Sequence, residues 1–207
     1  ERLTANETTL TRMGKLAAPT SADAVPPGSA QIVVDGVTIA FPLGDAIDLD
    51  AEKARLAKAI AAAENGKHVL CEKPMALNMT DCDRMIAAAN TNDVKLGVAY
   101  YRQFYPVVER MKEVINSGEI GKPIIAQVNA FEWFNPAPSD SRTWLLKPEV
   151  SGGGPMFDFG CHRIQILLHL FGPVKTVKAI TSIALFDREV EDTAVASFEF
   201  AGGTLAT

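Results

Sequence analysis

Between His68 and Gly118 the sequence alternates twice between a short β-rich run and a longer helical one. "HVLCE" predicts a strand and "NMTDCDRMIAAANTN" a helix; "KLGVAYYRQF" predicts a second strand and "YPVVERMKEVINSGEIG" a second helix, with Gly118 near its end. Strands joined through a helical crossover run parallel, because the helix returns the chain to the end of the sheet where it began. That rhythm confines this region to an open, doubly wound α/β arrangement.

The flanks read differently. Residues 1–29 are polar and rich in Thr, Ala and Pro; "NETTLTRMGKLA" fits a short helix and "PTSADAVPPGS" a linker. "AQIVVDGVTIAFPLG" places two β-rich runs around Asp35-Gly36, a pair that supplies the positive φ angles of a tight hairpin turn. "DLDAEKARLAKAIAAAENGK" is a helix that Asp48 or Asp50 can cap and Gly66 can close. From Pro123 the expected strands lengthen to "IIAQVNAFEWF", "VKTVKAITSIALF" and "DTAVASFEFAGG", with one helix, "FDFGCHRIQILLHLF", between the first two. The expected fold is an α/β partial Rossmann-like unit over 61–122, then an α+β open-faced, mainly antiparallel sheet over 123–207. A hairpin and helix precede them within 1–60. The chain starts at Glu1 without a methionine and stops after a hairpin-like "AGGTLAT", so both ends read as cut.

With 207 residues, 47% of them hydrophobic and 22% charged, there is material for one large domain or two small ones. A net charge of -5 argues against a general binder of nucleic acid or anionic membrane. Cys71, Cys82 and Cys161 are too few for a disulfide framework and have no metal-ligand spacing. No metal site is expected, and a reducing, cytoplasmic setting is. No apolar run approaches membrane-spanning length.

Three places carry residues suited to chemistry. In open α/β sheets ligands bind beyond the carboxyl ends of strands, and Glu72-Lys73-Pro74 stands at such an end. Lys73 can set an ammonium over a ligand and Pro74 fixes the turn; the alternative is a surface ion pair with a helix starting at Pro74. In "SGGGPMFDFGCHRIQILLHLFG", three glycines permit close approach and hand the chain to a helix. On it Asp158, His162, Gln165 and His169 form one polar stripe at i, i+4, i+7 and i+11, against the apolar Phe157, Ile164, Leu167, Leu168 and Phe171. The stripe is expected to face a cavity or cleft. Asp158, one turn before His162, can orient the imidazole, and His169 reads as structural. Third, "AYYRQFYP" places Tyr101 and Arg102 at the end of the second strand, on the sheet edge of Lys73, where Arg102 can hold an anionic or hydroxyl-rich ligand. Trp133 and Trp144 flank the loop "NPAPSDSR" and either cover a pocket or pack on the sheet.

Together, "AIAAAENGKHVLCEKPMALN", "YRQFYPVVERMKEVINSGEIGKP" and "W…GGGPMFDFGCH" resemble the Gfo/Idh/MocA oxidoreductases, from about Ala59 to Thr207 and in that family's order and spacing. The resemblance implies hydride transfer between NAD or NADP and a sugar- or polyol-like alcohol or ketone. It implies that Glu72, Lys73 and Pro74 meet the cofactor, that Lys73 lies beside nicotinamide and substrate hydroxyl, and that His162 exchanges the hydroxyl proton with Asp158 as its partner. Tyr101, Arg102, Trp144 and Gln165 then fall to the substrate. Gln165 stands where family members often carry an aspartate. Family members often associate through the outer face of the open sheet, so a homo-oligomer is a further expectation.

One family hallmark is absent. No G-x-G-x-x-G occurs anywhere in the chain, and Gly152-Gly153-Gly154 lies on the wrong side of Glu72-Lys73-Pro74 to serve as one. In its place, "PPGSAQIVVDGVTIAFPLGDAIDLDAEKARLAKAI" is similar to the C-terminal region of bacterial valyl-tRNA synthetases, over roughly residues 1–60. The expectation is therefore a chimera joined inside one alanine-rich helix, with truncated oxidoreductase parts and an impaired cofactor site. The alternatives are a non-catalytic scaffold and a tRNA-contacting segment. With only Lys53, Arg55 and Lys58 among several acids on the helix from Asp48 to Glu64, tRNA is not the expected partner.

Overall fold

The computed structural model describes residues 29–34, 37–42 and 49–207. They fall into two compact units: the described residues up to Ala99 with Asp140–Trp144, and Tyr100–Ser139 with Leu145–Thr207. The sequence-predicted helix and linker before Ser29, the Asp35-Gly36 turn and Asp48 lie outside the described residues.

In the first unit, β1 (Ser29–Val34) and β2 (Val37–Pro42) pair antiparallel in the register a tight hairpin gives, Val34 opposite Val37. Helix α1 (Leu49–Glu64) carries Asp50 and Glu52 in its first turn, where carboxylates favour the exposed N–H groups and the dipole. It ends at Gly66, whose φ of 70° admits the closing bonds Gly66 N–H to Ala63 O and Lys67 N–H to Ala62 O. Strands β3 (Val69–Cys71) and β4 (Leu96–Val98) pair parallel, as the alternation predicts, with α2 (Met79–Thr91) crossing between them. The Asn78 side chain caps α2 by accepting from Asp81 N–H at 2.9 Å. Cys71, Ala76 and Met85 form the core here, with Leu56, Ile60, Leu96 and Val98 packed around them.

The second predicted strand is much shorter than "KLGVAYYRQF". Its partner β3 runs out at Cys71, and Ala99 N–H to Cys71 O is the last bond of the ladder. Tyr101 and Arg102 therefore lie not on a strand end but in a 3-10 turn, Tyr101–Phe104. That turn leads into α3 (Pro106–Ser117), with Pro106 in the first turn and Gly118 at φ 75° after the last.

The second unit holds a four-stranded sheet in the order β5 (Ile125–Ala126), β8 (Leu205–Ala206), β7 (Thr193–Phe200), β6 (Val174–Ser182). β6 and β8 pair antiparallel with β7, and β5 pairs parallel with β8. The sheet is mainly antiparallel, as expected, but "IIAQVNAFEWF" contributes only two strand residues. Val128 N–H reaches Thr207 O, and residues 129–134 join no ladder among the described residues.

The helix expected from Phe157 onward is interrupted. A short helical turn, α4 (Pro148–Ser151), precedes the glycines; a π-helical turn, Met156–Gly160, then leads into α5 (Cys161–Phe171). α5 lays Leu167, with Ile164 and Phe171, on Phe198, Phe200 and Ala206 of the sheet. Leu168 is not in that core: it is 40% exposed, its neighbours in the helix having taken the buried face.

Candidate functional site

In the first unit, the turn after β3 carries Glu72, Lys73 and Pro74, all half-buried, with a cis peptide between Lys73 and Pro74. Glu72 folds back to accept from the Lys73 N–H at 3.1 Å. Burial pushes the Glu72 pKa up, opposed by that N–H and by the Lys73 and Arg55 charges. Arg55 of α1 adds what the sequence does not announce. It forks onto Glu52 (2.7 and 3.0 Å) and donates to Met75 O (3.2 Å) and Pro74 O (3.3 Å). Trp144 is half-buried in a 3-10 turn, Ser141–Leu146.

In the second unit the polar stripe finds partners from the segment that follows β4. His162, in the first turn of α5, is only 4% exposed. Two tyrosines meet its ring: Tyr100 at 6.0 Å and 88°, Tyr101 at 5.7 Å and 67°. Such edge contacts fix the imidazole plane while leaving the ring nitrogens for polar partners. Gln165 donates to Gln103 Oε1 at 2.9 Å, a partner the sequence reading missed. The cue available was position: Gln103 lies in the same "YYRQF" run as Tyr101 and Arg102. His169 lies 3.5 Å from Lys112 Nζ, and burial, then the lysine charge, push its pKa down. What faces the stripe in this unit is thus the segment from Tyr100 to Lys112. Asp158 sits in the π-helical turn before His162, its carbonyl accepting from the Cys161 thiol.

Two polar atoms here are buried without a hydrogen-bond partner among the described residues, Arg102 Nε and Gln165 Oε1. Each invites a ligand group, a donor for the amide oxygen and an acceptor for the guanidinium. Arg163 lies over the Phe159 ring at 3.6 Å and donates to Phe159 O. Burial lowers its pKa, and the Arg102 charge lowers it further.

The triple glycine serves packing within this unit. Gly154 N–H and Met156 N–H both donate to the Glu191 carboxylate, at 2.7 and 3.0 Å. A Cβ on Gly154 would stand 2.2 Å from Glu191 O; on Gly152 it would stand 2.4 Å from the Phe157 ring. Trp133 packs edge-on against Phe186, 5.0 Å between centroids. Among the described residues no cluster of three metal-binding side chains occurs, and no helix is long and apolar enough to cross a membrane.

Comparison with known proteins adds the wider setting. Residues 22–100 match the oxidoreductase family with an NAD-binding Rossmann fold, and residues 108–207 match the GFO/IDH/MocA C-terminal domain. The first match begins inside the synthetase-like stretch and takes in α1. Myo-inositol 2-dehydrogenase of Thermotoga maritima is 36% identical over 152 residues, 70% of this chain and 43% of that protein. The 1,5-anhydro-D-fructose reductase of Ensifer adhaerens is 31% identical over 149 residues, 71% of this chain and 44% of that protein. Among solved structures, the WlbA dehydrogenase of Bordetella pertussis, in complex with NADH and UDP-GlcNAcA, is 31% identical with a TM-score of 0.66. That match covers 75% of this chain and 47% of WlbA. The chain spans less than half the length of these relatives.

Proposed function

We propose, for a chain that belongs to the Gfo/Idh/MocA family of oxidoreductases, NAD(P)-dependent oxidation or reduction of a sugar- or polyol-like substrate. The observation that carries this reading is His162, buried and held edge-on by two tyrosines, in a chain whose relatives include dehydrogenases and reductases of inositol and anhydro sugars. When bound, NAD(P) takes or supplies the hydride. Lys73 supplies an ammonium that would favour an alkoxide-like form of the reacting oxygen. His162 takes the hydroxyl proton or returns it, and Asp158 orients the imidazole. Tyr101, Arg102, Trp144 and Gln165 contact substrate. Gln165 has no proton to trade, so its buried Oε1 accepts from a substrate hydroxyl where a carboxylate would have acted as base.

The chain's residues fit one end of the cofactor. Glu72, Lys73 and Pro74 form a half-buried, charged turn suited to nicotinamide. For the pyrophosphate the sequence holds no G-x-G-x-x-G. Two or three missing charge-assisted hydrogen bonds would weaken binding by roughly 3–9 kcal/mol, about two to six decades of affinity. We therefore read the chain on its own as a weak cofactor binder with impaired turnover. The alternatives are a non-catalytic chimeric scaffold and a tRNA-contacting segment; the family match from residue 22 weighs against a synthetase origin for most of residues 1–60. Three free cysteines suit a cytoplasmic setting. The outer sheet face carries one exposed apolar pair suited to a second copy as partner: Ile180 and Val195, paired across β6 and β7, are 77% and 62% exposed.

The test is a titration of NADH and NADPH followed by nicotinamide fluorescence, with Lys73→Ala beside the parent chain. Binding that saturates only toward millimolar cofactor and disappears in Lys73→Ala is the expected result. No binding at millimolar cofactor would leave the scaffold reading. Brisk polyol turnover by the unmodified chain would remove the impairment.

A further inference from the structure

The Glu72-Lys73-Pro74 turn has no secondary structure of its own to hold it. The β3 ladder ends at Cys71, and the next regular element begins only where Asn78 caps α2. Pro74 brings no N–H, so the turn is short of backbone donors and its carbonyls must be answered from elsewhere. Arg55 answers two of them. Its Nη1 reaches Met75 O at 3.2 Å and its Nη2 reaches Pro74 O at 3.3 Å, the two carbonyls that directly follow Lys73. The same guanidinium is anchored on α1 through Nε and Nη2 to Glu52 Oε2, at 3.0 and 2.7 Å. Both partners are sheltered, the Arg55 side chain 21% exposed and that of Glu52 12%.

We propose that Arg55, fixed by Glu52, is a positioning residue that holds the turn carrying Lys73 in place. Four donor–acceptor contacts from one planar fork reach a carboxylate and two successive carbonyls, a fan that an ammonium on a flexible stem does not reproduce. The helix is therefore part of the site and not merely a support behind it. The Arg55 charge also favours the ionised form of Glu72 against the larger upward push of burial. Consequences for cofactor binding rest on the function proposed above; the ordering of the turn does not.

The experiment takes the full chain with Arg55→Met, Arg55→Lys and Glu52→Gln, and reads amide hydrogen exchange alongside NADH affinity. In Arg55→Met, exchange at Lys73, Met75 and Ala76 should quicken by about tenfold, the loss of one to two hydrogen bonds. The core amides of Met85 and Ala89 in the same unit should stay as they were. Arg55→Lys should recover only part of the protection, and Glu52→Gln should loosen the same amides less than Arg55→Met does. NADH affinity should fall in the same order. If the parent chain binds no NADH while the turn loosens locally, the positioning role stands and the cofactor reading falls. Unchanged exchange at the turn in Arg55→Met overturns the proposal. So does quickening shared equally by Met85 and Ala89, which would make Arg55 a general stabiliser of the unit.

Discussion

The two units hold their candidate site residues by different means. In the first, Lys73 sits on a turn beyond a three-residue strand, over a core of Cys71, Ala76 and Met85, and the fastening is a guanidinium and a carboxylate. In the second, His162 opens a helix whose later turns press Leu167 onto Phe198 and Phe200, and the fastening is aromatic. Polar clamps are directional and local, so loosening one frees a few residues. Large buried rings share many neighbours, and removing one is felt throughout the layer. The largest expected effect follows. Phe200→Ala, at a residue 1% exposed, should cost about 3–5 kcal/mol and quicken exchange across β6, β7 and α5. Met85→Ala, at a residue 2% exposed, should cost about 2–3 kcal/mol, because its partly buried neighbours, Leu56, Ile60, Leu96 and Val98 among them, can shift into the space that a flexible side chain vacates. Denaturant unfolding of both variants checks the ranking; an equal or larger loss for Met85→Ala would erase the contrast.

Glycines extend it. Gly66 and Gly154 both sit at helix boundaries, but for different reasons. Gly66 has φ 70° and open space where a Cβ would point, so Gly66→Ala should cost only about 1 kcal/mol of backbone strain. At Gly154 a Cβ would lie 2.2 Å from the Glu191 carbonyl oxygen and 2.8 Å from its carboxylate. Gly154→Ala must push that residue off two N–H groups, and about 2–3 kcal/mol is expected. Thermal unfolding of the pair should separate them, with Gly154→Ala melting lower. A smaller drop for Gly154→Ala would mean that the loop bearing Glu191 yields easily.

How much of this could be read beforehand depended on how local each feature is. The parallel pairing of β3 with β4, the closures at Gly66 and Gly118, and the antiparallel sheet after β6 are written in short stretches of sequence, and the structure carries them. Strand lengths are not local: "KLGVAYYRQF" looks β-rich to its end, yet it stops where its neighbour stops offering bonds. The π-helical turn at Met156–Gly160 was hidden because a continuous 3.6-residue period fits the same apolar residues nearly as well. Arg55 was visible only as a surface cation, since its contacts join residues about twenty apart. Gln103 was missed for the same reason, being 62 residues from Gln165.

Acid should set the two units against each other, with opposite signs and in different pH windows. Asp192 accepts from the N–H groups of Ala184, Leu185 and Phe186, each at 2.9 Å, and from the Thr193 hydroxyl at 2.8 Å. Those donors hold its pKa far below the ordinary 3.8, so the folded second unit binds this proton less readily than the unfolded chain. Its contribution is complete above 3.8 and is lost as pH falls from there toward the folded value. Glu72 behaves in the reverse sense. Burial raises its pKa above the ordinary 4.5, so the folded first unit binds the proton more readily. Its contribution is greatest on the acid side of 4.5 and declines as pH rises through the raised value. Amide exchange followed downward from about pH 7, with intrinsic rates divided out, should show the Lys73–Ala76 turn tightening slightly before 4.5 is reached. The Ala184–Phe186 loop should hold until below 3.8 and then loosen. Asp192→Asn should flatten the second response and Glu72→Gln the first. Loosening of both segments together in one window would show that a global acid transition, not two separate carboxylates, governs the chain.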